Sequence, residues 1–74
     1  MIVVSKKEID FAVFLLHKLA RSWGKPVPDA YQILASTGIL DDYILAHYDT
    51  LHTLGAEYLV DDITAFVHEK GVIL

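Results

Sequence analysis

The sequence predicts an all-α fold, a compact bundle of four helices forming a single domain over residues 1–74. Three observations predict it. Apolar residues recur at the three- and four-residue spacing of an amphipathic helix through most of the chain. All four glycines, Gly24, Gly38, Gly55 and Gly71, fall where one such run stops. The connections between runs are short, as in compact helical domains.

The first helix is announced by Ser5 and Glu8, three residues apart, the spacing of a capping box, which places its start near Lys6. At about 100° per residue, Ile9, Ala12, Val13, Leu15, Leu16, Leu19, Ala20 and Trp23 form one broad stripe opposite Asp10, His17, Lys18 and Arg21. Phe11 falls at the edge of this stripe and Phe14 among the polar residues, so the helix is apolar on more than one face. It either sits centrally in the domain or offers Phe14 to a partner. Gly24 and Pro26 end it.

A short second helix is expected from about Pro28 to Thr37, with proline tolerated in its first turn and Asp29 favourable to its dipole. Its inward residues are Ala30, Ile33, Leu34 and Thr37. Gly38 closes it, and Asp41 is a good N-cap for a third helix through about His52, with Ile44, Leu45, Tyr48 and Leu51 inward. The fourth helix runs from about Gly55 to Lys70, and Thr53 is placed to cap it. Its pattern is clean: Ala56, Leu59, Val60, Ile63, Phe66 and Val67 cover one side, and Asp61, Asp62, Thr64, His68 and Glu69 the other. The apolar ends, Ile2-Val3-Val4 and Val72-Ile73-Leu74, are rich in β-branched residues and either pair as strands or drape over the core.

Composition excludes several function classes. A chain of 74 residues buries only about 60% of the surface of its unfolded form, yet 54% of its residues are hydrophobic. Either the core is unusually dense or apolar surface meets a partner. There is no cysteine, hence neither a disulfide framework nor a thiolate metal site, and a reducing cytoplasm is the expected location. The apolar run Phe11 to Leu16 is far shorter than a membrane span, and Glu8 and Asp10 spoil the likeness of Lys6-Lys7 to the start of a signal peptide. A formal net charge of −4 with scattered Lys and Arg opposes nucleic-acid binding. It suits a target with a basic cleft, as it also suits simple solubility.

The densest polar cluster runs from His47 to Thr53. Asp49 and His52, three apart on a helix, are within reach of each other, as in a metal site or an oriented base. His47 and His52 lie about 140° apart around an α-helical axis and cannot converge on one ion. A metal would need Asp61 or Asp62 as well. His52 instead falls on the apolar side with Leu45 and Tyr48, which marks a buried structural histidine that, with Thr53, ties the third helix to the fourth. Ser5, Ser22 and Ser36 have no glycine elbow around them, and no glycine belongs to a phosphate-cradling loop. No catalytic residue, metal ligand or cofactor-binding residue is expected, and the chain reads as a non-enzyme. Tyr43, well off its helix's stripe, and Phe14 are the candidate partner contacts, unless the domain's own segments cover them.

The stretch Leu51 to Ile63, LHTLGAEYLVDDI, resembles the signature of a small bacterial family, domain of unknown function 3791. The likeness extends upstream through Phe11, Val13, Phe14 and Leu16, the segment Ala30-Tyr31-Gln32-Ile33-Leu34, Gly38 and Tyr48-Asp49. It covers about four-fifths of the chain. It carries over His52, Thr53, Gly55, Tyr58, Asp62 and Ile63, but the family has no established catalytic residues to transfer. Val27-Pro28 stands where relatives tend to have polar helix-starting residues. Members are short cytoplasmic proteins often encoded beside an ADP-ribosyltransferase-like family, which implies an antitoxin-like binder that neutralises such an enzyme. Two further readings remain: a homo-oligomer that binds its own copy as a scaffold, and a small metal- or ligand-binding domain built on Asp49, His52 and Asp62.

Overall fold

A computed structural model describes residues 5–72 of the chain. Among the described residues there are four α-helices, α1 (Lys6–Trp23), α2 (Val27–Ser36), α3 (Tyr48–Leu51) and α4 (Ala56–Glu69), with a π-helical turn (Leu40–Leu45) between α2 and α3. The fold is all-α. The expected pairing of the apolar ends falls on residues outside those described, except at Val72. That residue lies partly buried on the core, its amide bonded to the Val67 carbonyl at 3.3 Å.

Local chemistry accounts for the helix ends. Ser5 is extended, and its hydroxyl accepts the Glu8 amide at 3.4 Å, satisfying one of the free donors of the first turn of α1. Gly24 takes a left-handed φ of 66° and returns its amide to the Ala20 and Arg21 carbonyls. Helix α2 begins at Val27, one residue before the expected start, because extended Pro26 serves as its N-cap and Pro28 fits the first turn. At its far end the Thr37 hydroxyl donates to the Ile33 carbonyl at 2.7 Å, and Gly38 turns the chain away at φ 80°.

Helix α1 is central: α2, α4 and the π-helical turn all pack against it. Leu15 and Leu19 meet Leu34, Ile39, Ile44, Leu51, Leu59, Ile63 and Val67 in one buried cluster. The stripe expected on α1 is narrower than its periodicity suggests, since Ile9 and Val13 remain about half exposed. Phe11 takes part instead, packing edge-on against Tyr48 of α3 with ring centroids 5.4 Å apart. At the other end of α1 the Trp23 indole donates to the Thr64 hydroxyl of α4 at 3.0 Å, and that hydroxyl in turn donates to the Val60 carbonyl at 2.6 Å.

The expected third helix, Asp41 to His52, is corrected by the structure. Asp41 lies inside the π-helical turn and is not an N-cap, and a turn at Ala46-His47 separates that element from α3. Packing supplies the reason. Ile39 and Ile44 are both fully buried, yet residues five apart on an α-helix diverge by about 140°. The wider π turn, which closes five residues apart, brings both to the core side.

Candidate functional site

Phe14 lies on the outer face of α1 with 47% of its surface exposed, and Ile9 and Val13 on the same helix are exposed to the same degree. Packing makes this possible: α1 turns Leu15, Leu19 and Ala20 into the core, which leaves Phe14 facing away. The Lys18 ammonium rests over the phenyl ring, 5.6 Å from its centroid, a cation–π contact one helical turn away. The His17 ring donates from Nδ1 to the Val13 carbonyl at 2.9 Å, which keeps the imidazole close to the helix and the apolar side chains accessible.

Tyr43, the second expected contact, is largely engaged inside the domain. Its ring packs on Phe66 at 5.5 Å and lies 6.0 Å from that of His47. Its hydroxyl donates to Oδ2 of Asp62 across from α4. Partial burial, followed by the hydrogen bond to Asp62 and the negative charge there, pushes the phenol up from 10.0 to about 12. Asp62, expected on the solvated side of its helix, is therefore a brace between α4 and the π-helical turn. No local signal marks this pair, whose members are 19 residues apart.

Two expectations for the polar motif are corrected. His52 is exposed and not buried. Its Nδ1 donates to the Tyr48 carbonyl at 2.8 Å, and its ring stacks on that of Tyr48 with centroids 4.6 Å apart. Thr53 does not cap α4: its hydroxyl donates back to the Thr50 carbonyl at 2.7 Å. Extended Gly55 is the N-cap of α4 and makes no side-chain bond. Both polar residues thus close the end of α3, where unpaired carbonyls gather. Tyr48 and Leu51 face inward as expected, but His52 follows the last residue of α3 as its C-cap and its ring lies outside, stacked on Tyr48. Asp49 is exposed. Among the described residues no three His, Asp or Glu side chains are grouped to hold a metal ion. Asp49, His52 and Asp62 are not brought together.

The surface formed by the described residues includes two clefts. One, of about 410 Å³, lies between α1 and α4, lined by Lys18, Arg21, Ser22, Ala56, Glu57, Val60 and Asp61. The other, of about 240 Å³, lies beside the π turn, with Asp42, Tyr43, His47, Phe66 and Lys70 among its lining. No helix among the described residues is long and apolar enough to cross a membrane. Among them, too, no buried side-chain nitrogen or oxygen lacks a partner, so the polar chemistry of the chain is either internally bonded or in contact with solvent.

No curated protein and no solved structure matches the chain. Residues 10–70 match the model of the family described as Protein of unknown function (DUF3791). That stretch begins within α1, includes Phe14, Tyr43 and the whole polar motif, and ends just beyond α4. The chain belongs to the DUF3791 family.

Proposed function

We propose that this chain is a cytoplasmic protein-binding module without catalytic activity, that it binds through the outer face of α1, and that it neutralises a neighbouring ADP-ribosyltransferase-like enzyme in the manner of an antitoxin. The observation that carries the binding half is the half-exposed Phe14, held on a rigid helix next to the exposed Val13. An aromatic anchor with an aliphatic neighbour on an ordered element is the composition of an interface centre, because it brings area with little conformational entropy to lose. The neutralising half rests on the gene neighbourhood that the family resemblance implies. Tyr43 plays a lesser part in this reading, since Phe66 and Asp62 already occupy it.

The test is a pull-down of the tagged chain from its native cell, with co-purifying proteins identified by mass spectrometry, run beside Phe14→Ala. The expected result is one enzyme encoded nearby, recovered in equal proportion with the wild type and lost with the variant. The variant should keep its helical circular dichroism and melt within a few degrees of the wild type, since a half-exposed side chain contributes little to the fold. Recovery of the chain alone would refute the neutraliser reading.

A further inference from the structure

Charge is unevenly divided between the two helices that flank the larger cleft. Helix α1 carries four basic residues, Lys6, Lys7, Lys18 and Arg21, against two acidic ones, Glu8 and Asp10. Helix α4 carries four acidic residues, Glu57, Asp61, Asp62 and Glu69, and neither lysine nor arginine. The helices pack side by side. One rim of the cleft between them is Lys18 and Arg21, the other is Glu57 and Asp61, and the half-buried Ala56 and Val60 lie between. All four charged rim residues are exposed. A gap of about 410 Å³ sets the rims apart, and the Lys18 ammonium turns to the Phe14 ring.

A surface with a basic rim and an acidic rim is its own complement under a two-fold rotation. Half a turn of a second copy about an axis through the cleft sets each basic rim against an acidic one, twice over. We propose that this cleft is the interface of a symmetric dimer, in which Lys18 and Arg21 of one protomer meet its partner's Glu57 and Asp61 and the reciprocal pairing closes the other side. The half-buried Ala56 and Val60 form the apolar floor between the charges. A standard interface takes about 800 Å² from each partner. One broad face of a body 30 × 27 × 21 Å is large enough to provide it. Phe14 is not part of the cleft lining, so dimerisation does not depend on the neutraliser reading and leaves it open.

The experiment is a mass measurement of the purified full chain by light scattering after gel filtration, at about 100 µM, where a dimer of micromolar Kd is largely formed. Low salt should give twice the 8.3 kDa chain mass, and high salt should lower the apparent mass as the rim charges are screened. Two rim reversals follow: Lys18→Glu with Arg21→Glu makes both rims acidic, and Glu57→Lys with Asp61→Lys makes both basic. Each should be monomeric alone, with dimerisation weakened about a hundredfold or more by the like charges brought together. Mixed in equal amounts the two should form a heterodimer, a rescue that misfolded chains cannot produce. A wild type that is monomeric at low salt would overturn the proposal. Reversed chains that still dimerise alone, or that stay monomeric when mixed, would overturn it too.

Discussion

Replacing Tyr43 by phenylalanine separates an internal brace from a docking residue. The change removes one hydroxyl and leaves the ring on Phe66. What is lost is a hydrogen bond to the Asp62 carboxylate. A bond to a charged acceptor contributes about 1.5–3 kcal/mol when well shielded, and partial exposure of both partners reduces this to about 1 kcal/mol. In a domain of this size 1 kcal/mol corresponds to a Tm drop of about 4–8 °C. The pH dependence supplies a second, independent readout. The folded phenol holds its proton up to about 12 against 10.0 for an unperturbed tyrosine. Between those values the unfolded chain releases a proton that the folded one keeps, so stability is fully present below pH 10 and falls as pH rises through about 12. Urea unfolding followed by circular dichroism at neutral pH and across that window, with phenolate absorbance in parallel, measures both effects. The wild type should lose stability across the window and show one tyrosine titrating late. Tyr43→Phe should begin lower, lose less of its stability across the window and lack the late phenol. A variant as stable as the wild type, with the late titration still present, would refute the brace.

Three further outcomes follow from the geometry. His52→Ala should cost about 0.5–1 kcal/mol, because it deletes an exposed bond and a ring stack that close α3; elemental analysis of the wild type should find no stoichiometric metal. Ile63→Ala, at a fully buried position in the central cluster, should cost about 2–5 kcal/mol. In a domain with a thin margin that is enough to leave the chain largely unfolded by circular dichroism. Gly24→Ala should cost about 1 kcal/mol in urea unfolding, since nothing lies within 4 Å of the added methyl and the left-handed φ of 66° is the whole penalty.

Most of this architecture is legible because its determinants are local. Ser5, Gly24, Pro26, Gly38 and Gly55 punctuate the chain where helices begin or stop, and the periodicity of α4 places Leu59, Ile63 and Val67 in the core. The region from Leu40 to His52 resists the same reading. It contains neither glycine nor proline, so nothing in its composition interrupts a helix there. The interruption comes from packing, since burying both Ile39 and Ile44 demands the wider turn. Tyr48 and Leu51 still face inward as expected, but α3 stops at Leu51, so His52 lies past its end and faces solvent. The braces Trp23–Thr64 and Tyr43–Asp62 join residues 41 and 19 apart; only the assembled bundle brings them together. Phe14, off the apolar stripe of α1, does stay outside, whereas Tyr43, equally off its stripe, is covered by Phe66 and Asp62 of α4.

The two faces of α1 explain how so small a chain combines a fold with a binding surface. Its inner face contributes Leu15, Leu19 and Ala20 to the core, and substitutions there act on folding before they act on anything else. Away from the core, Val13 and Phe14 stand side by side near half exposure, while Ile9, also half exposed, lies about 140° around the axis from Phe14. Completing their burial against a partner is worth about 1 kcal/mol for each side chain. The sum for Val13 and Phe14, about 2 kcal/mol, is roughly thirtyfold in affinity before the costs of association are subtracted. Those costs are kept low because the side chains stand on a helix ordered by its own core contacts, so little backbone entropy is left to lose on docking. Substitutions on the outer face should therefore change binding without changing stability. The central position of α1 makes that separation possible, since α2, α4 and the π turn hold its backbone from the other side.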